Sequence, residues 1–169
     1  MRGGLYDPPV RSLTIARVGR LRVLAALAAG LLLAGCTKER DTVPVSCSGD
    51  QAELMAALRQ APGAVVLEDG TRLSRCVSTA RTDGDLQALG ISLGRVADAL
   101  QARAATDPAA ALQLGYLAGA VRAGARRTAG RIADQLARRM EQLATLRPGA
   151  RAAATAARER GARAGESRG

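Results

Sequence analysis

Histidine, phenylalanine and tryptophan are absent from this 169-residue chain, and tyrosine occurs only twice. Without imidazole the chain has no side chain that titrates near neutral pH as a general base, and it lacks the commonest metal ligand. His-containing zinc sites and Ser-His or Cys-His nucleophile pairs are thereby excluded. The scarcity of rings also leaves a basic surface little on which to stack nucleobases, so nucleic acid is not an expected partner. No G-x-S-x-G, P-loop or dinucleotide-binding fingerprint is present. Lysine occurs once, at Lys38, so an amine nucleophile has a single candidate. The chain reads as a non-enzyme, with no cofactor and no metal expected. What it has in quantity is alanine (37), leucine (22) and arginine, which makes up 24 of 25 cationic residues against 15 acidic ones, a formal charge of +10. The length suits one small domain.

Five arginines (Arg2, Arg11, Arg17, Arg20 and Arg22) and one acid, Asp7, fall in residues 1–22. An uncharged run of Leu and Ala follows over residues 23–35. As a helix it would cover roughly 20 Å, too short for a hydrocarbon core of about 30 Å. It therefore has the length of a signal-peptide apolar region and not of a spanning helix. The run ends in Leu33-Ala34-Gly35-Cys36, and here the chain resembles a bacterial lipoprotein signal peptide, whose lipobox is Leu-(Ala/Ser)-(Gly/Ala)-Cys. The resemblance covers the signal alone. It implies cleavage between Gly35 and Cys36, lipid attachment at the Cys36 thiol, and export to the cell membrane, or to the outer membrane where one exists. Two acyl chains anchor a protein stably, at about 0.8 kcal/mol per buried CH₂. Lys38 lies beside that anchor, a poor place for a catalytic amine. Residues 1–17 include Asp7-Pro8-Pro9, which is unlike signal sequence, and a start at Val18 gives a compact signal; residues 1–17 are read as a misassigned start.

With Cys36 lipidated, Cys47 and Cys76 remain, and an even pair in an exported chain reads as a disulfide. Residues 36–49 are then the lipidated cysteine and a polar spacer, 50–146 a small mainly helical domain, and 147–169 an Ala/Arg/Gly-rich tail.

Asp50 with Glu53 starts a helix that Pro62-Gly63 stops. The run Ala64-Val65-Val66-Leu67, the turn Glu68-Asp69-Gly70-Thr71 and the evenly spaced Leu73 and Val77 read as a β-hairpin. These pieces make a small disulfide-tied α-β-β segment. Thr82, Asp83 and Asp85 cap a long helix carrying Leu86, Leu89, Leu93, Val96 and Leu100. Asp107-Pro108 restarts the chain as a second helix whose stripe, from Ala110 to Leu143, predicts one element with a weak point near Gly130. The expected fold is mainly α: a long antiparallel helical hairpin preceded by the α-β-β segment. Residues 147–169 contain no Leu, Ile or Val, so they predict a disordered tail.

Gly115-x-x-x-Gly119, extended by Ala123, reads as a face that lets the preceding long helix approach closely, with a homodimer seam as the alternative. Tyr116 beside it reads as a half-buried flank with a wet hydroxyl. Asp83-Gly84-Asp85 lacks the further carboxylates of a calcium loop and reads as helix capping, and Glu68-Asp69 reads as turn chemistry.

The charge is unevenly spread: residues 36–118 carry 8 cations and 10 acids, a net −2, whereas residues 119–169 carry 12 arginines and 4 acids, a net +8. One lysine against 24 arginines, amid much Ala and Gly, is also what a GC-rich coding sequence produces, so a merely solvated cationic surface stays open. Where the charge has a partner, anionic lipid or an anionic envelope polymer is the candidate, contacted through Arg122, Arg126, Arg127, Arg131, Arg138 and Arg139. The reading is a membrane-anchored envelope lipoprotein acting as a non-catalytic structural or binding module, with a protein partner or homodimer open. The alternative is an accessory subunit of an envelope enzyme or transporter complex.

Overall fold

The computed structural model describes residues 42–169 apart from Ala129. Six α-helices are found among them: α1 (Gln51–Leu58), α2 (Leu73–Thr79), α3 (Asp83–Ala104), α4 (Pro108–Ala125), α5 (Arg131–Leu143) and α6 (Ala152–Arg168). A 3-10 turn, Val45–Ser48, precedes α1.

Local side-chain chemistry accounts for three of the six starts. The Asp50 carboxylate accepts from the Glu53 N–H at 2.8 Å and begins α1. Thr82 and Asp85 form a reciprocal capping box on α3, with bonds of 3.1 and 3.0 Å. Asp107 accepts from the Ala109 N–H at 2.9 Å while Pro108 occupies the first turn of α4. Such caps satisfy N–H groups that have no partner within the helix.

Helix α4 is the axis of the fold. Apart from Gln113 and Arg122 it has no polar side chain beyond a tyrosine, and it is buried from Ala110 onward on nearly every side. A helix that is apolar all round needs cover all round, and α2, α3, α5 and α6 supply it. The two long helices expected as a hairpin thus lie within a larger bundle. The second is also two elements: residues 126–130 interrupt it, and Gly130 takes φ 144°. Helical hydrogen bonding ends at the Arg126 cap of α4, and Gly130 precedes the first turn of α5, where a kink alone was expected.

The expected strands do not form among the described residues. A single antiparallel bridge joins Val66 to Arg72. The turn between them is as read, with Gly70 at φ 80° and the Asp69 carboxylate accepting from the Thr71 N–H at 2.9 Å. Beyond it Leu73 and Val77 lie on one face of helix α2, because a spacing of four fits a helical period as well as a strand's. Cys76, also on α2, is joined to Cys47 across a Cα–Cα distance of 5.5 Å.

The predicted disordered tail is instead helix α6, which packs along α4. It buries Ala154, Ala157, Gly161, Ala164 and Gly165 and no larger side chain. The contact is made by backbone. A Cβ on Gly115 would lie 2.0 Å from the Arg158 carbonyl oxygen, and one on Gly119 would lie 2.2 Å from that of Ala162. Reciprocally, a Cβ on Gly161 would meet Leu112 O at 2.0 Å and one on Gly165 would meet Tyr116 O at 2.1 Å. The glycine hydrogen that takes the Cβ direction therefore faces a carbonyl oxygen in four places, each such contact contributing about 0.5–1 kcal/mol. Residue numbers rise together along the two helices, so they run parallel. The Gly115/Gly119 face, expected to receive the preceding long helix or a second copy, receives α6.

Tyr116 is fully buried and not a wet flank. Its hydroxyl accepts from the Val65 N–H at 2.9 Å, tying α4 to the 64–67 segment. Burial raises its pKa above the ordinary value of 10, outweighing the Val65 hydrogen bond and the fields of Arg72 and Arg168. A raised pKa means stability that is complete below pH 10 and is lost as pH climbs through the folded value. In a Tyr6→Phe chain, where Tyr116 is the sole phenol, phenolate absorbance should rise only together with loss of helical circular dichroism. A separate titration of the folded protein near pH 10 would contradict this placement.

Candidate functional site

Cys36 and the lipobox Leu33-Ala34-Gly35-Cys36 lie outside the described residues. The six arginines singled out from the sequence all lie within them, and they divide into two sets.

Arg122, Arg126 and Arg127 are used internally. Arg122, near the end of α4, pairs with Glu141 of α5 and Glu166 of α6, each at 3.2 Å. Its Nε faces Glu166 without the alignment of a hydrogen bond. Arg126 pairs with the same Glu166 carboxylate. Arg127 donates to the Ser74 hydroxyl at 3.3 Å, and Ser74 in turn donates to the Gly169 carbonyl. Arg168 adds a bond of 2.9 Å to the Pro62 carbonyl. These contacts fasten the far end of α6 to the bundle. The Ser74–Gly169 bond is buried, whereas the ion pairs are partly exposed, so each of those contributes modestly and loses strength in salt.

Arg131, Arg138 and Arg139 are exposed on α5 and have no ion-pair partner among the described residues. Helix α5 buries Ala133, Leu136, Ala137 and Met140. Opposite that stripe, Arg131, Gln135, Arg138 and Gln142 fall at 3.6-residue spacing on its outermost ridge, free of acids. Arg139 and the exposed Ile132 flank the ridge on one side. This is a solvent-facing cationic ridge on a rigid element.

Two further arginines were hidden by reading residues 147–169 as a tail. Arg147 and Arg158 line a depression of about 350 Å³ with Thr145, Leu146, Gly149, Ala150 and Thr155, at the start of α6. The sequence signal that would have found them is the matched spacing of Gly161-x-x-x-Gly165 and Gly115-x-x-x-Gly119. A second depression, of about 370 Å³, lies between α1 and the 66–68 segment.

No helix among the described residues is long and apolar enough to cross a membrane. No family model, curated protein or solved structure matches the chain.

Proposed function

We propose that the chain is a lipid-anchored envelope protein that acts as a non-catalytic binding module, its free arginines turned to anionic lipid headgroups. The observation that carries this reading is a pair of cysteine features close together. Cys36 ends an apolar run in lipobox register, and Cys47, eleven positions on, is in a disulfide with Cys76. Disulfides persist where the surroundings are oxidising, as they are outside the cytoplasmic membrane. An anchor at Cys36 leaves five residues between it and the first described position, six Cα steps or at most about 20 Å of extended chain. A body held that near the bilayer meets its headgroups at high effective concentration.

The ridge Arg131/Arg138/Arg139 is an exposed part of the basic half that lies on one helix face and is available for such contact, whereas Arg122 and Arg126 are neutralised by Glu141 and Glu166. Each arginine near an anionic surface contributes on the order of 1 kcal/mol. In a Cys36→Ser chain, which isolates the electrostatic part, replacing the three ridge arginines by glutamine should weaken binding to anionic phospholipid vesicles about 100-fold at low salt. Neutral vesicles should bind neither chain. Binding that ignores anionic lipid and salt would refute the electrostatic reading.

A further inference from the structure

The segment 64–67 has an open backbone edge occupied by a side chain. On its inner side Leu67 N–H donates to the Thr71 carbonyl at 2.9 Å. On the outer side the Gln60 amide takes both groups of Val66: its Nε2 donates to Val66 O at 2.9 Å, and its Oε1 accepts from Val66 N–H at 3.3 Å. One primary amide thus makes the two hydrogen bonds that a residue of a neighbouring strand would make. Exposed strand edges invite such pairing, and a side chain laid across one is a cover for it.

That edge forms a wall of the depression beside α1. The apolar surface of the depression comes from Leu54, Ala57 and Leu67, and the carboxyl-bearing Glu53 and Glu68 lie on its rim. Both glutamates are exposed, and neither has a cationic partner among the described residues. The rim thus presents two unpaired carboxylates within the half of the chain, residues 36–118, whose net charge is −2. A volume of about 370 Å³ is in the range of sites that hold a few residues or a small ligand.

We propose that this groove binds an extended basic peptide segment of a partner protein, which displaces the Gln60 amide and adds to the Val66 edge as a strand. Main-chain bonds to Val66 supply the pairing, as in other strand-addition sites. Small side chains fill the floor over Leu54 and Ala57, and Lys or Arg side chains on either flank reach Glu53 and Glu68. The inference is independent of the lipid reading, because it uses the opposite pole of the charge distribution.

The test uses the full chain and a fluorescein-labelled Ala-Arg-Val-Arg-Ala peptide, read by anisotropy. Gln60→Ala removes the competing amide and should tighten binding about threefold or more. Glu53→Gln with Glu68→Gln should weaken it about fivefold. Methylating the central backbone nitrogen of the peptide should abolish it. All three positions are exposed, and circular dichroism identifies any variant that has lost its fold. Unchanged or weaker binding to a folded Gln60→Ala chain would overturn the proposal. So would equal binding of the N-methylated peptide, or no binding by any of the chains.

Discussion

Replacing Gly161 by alanine is expected to destabilise the protein by about 3 kcal/mol or more and to release helix α6. The sign is the informative part. In an exposed helix interior the same change stabilises by about 1 kcal/mol, since glycine loses the most backbone freedom on helix formation. Here the added methyl would lie 2.0 Å from the Leu112 carbonyl oxygen and 2.9 Å from Tyr116 N. Both are backbone atoms of α4, and neither can move without the helix. The two axes must therefore separate by about 1 Å or more, which disrupts all four glycine contacts along the seam. No large side chain on α6 can make up the loss, because the helix buries only Ala and Gly. Gly84→Ala is the internal control. It lies in the first turn of α3 and would find Thr82 Oγ1 at 3.7 Å, an ordinary contact, so it should be neutral or stabilising. Denaturant melts of the two variants against the parent decide the matter. Two variants of equal stability would mean that α6 does not dock.

Removing the disulfide has the next largest effect. Cys47 and Cys76 are 29 positions apart, and closing a loop of that size stabilises by about 3–4 kcal/mol in the chain-entropy model. Both cysteines are fully buried, and the bond ties the 3-10 turn before α1 to helix α2. That turn has few other anchors: Ser46 donates to the Asp69 carboxylate at 2.8 Å, and Val45 is 89% exposed. The double variant Cys47→Ser, Cys76→Ser should melt roughly 10–20 °C lower than the parent. Reducing agent should lower the parent to a similar point and leave the variant unchanged. A melting point indifferent to reductant would contradict the bond's structural role.

The parts of this fold that were legible in the sequence are those decided within a few residues. Thr82 with Asp85, Asp50 with Glu53, and Asp107-Pro108 each announce a helix start through side chains that reach only their own first turn. The turn around Asp69-Gly70 was legible for the same reason, and the cysteine pair by count, since two cysteines remain beyond Cys36. Helix α2 was misread because Leu73 and Val77 satisfy both periods, and the choice was made by what they pack against. Helix α6 was missed for a different reason. Leu, Ile and Val are the usual marks of burial, whereas this seam buries backbone, and its mark is a glycine spacing repeated in α4 and α6. The arginines were legible as charge and not as contacts. Only the placement of Glu141 and Glu166 separates Arg122 and Arg126, which hold the bundle together, from Arg131, Arg138 and Arg139, which face solvent.

The anchor at Cys36 is the claim on which the functional reading depends most. Intact-mass spectrometry of the protein purified from its native membrane, followed by fragmentation of its first peptide, tests it in one step. The account requires a chain that begins at Cys36 and carries a diacylglycerol mass on that residue. A chain that begins elsewhere, or one with an unmodified Cys36 thiol, would contradict it.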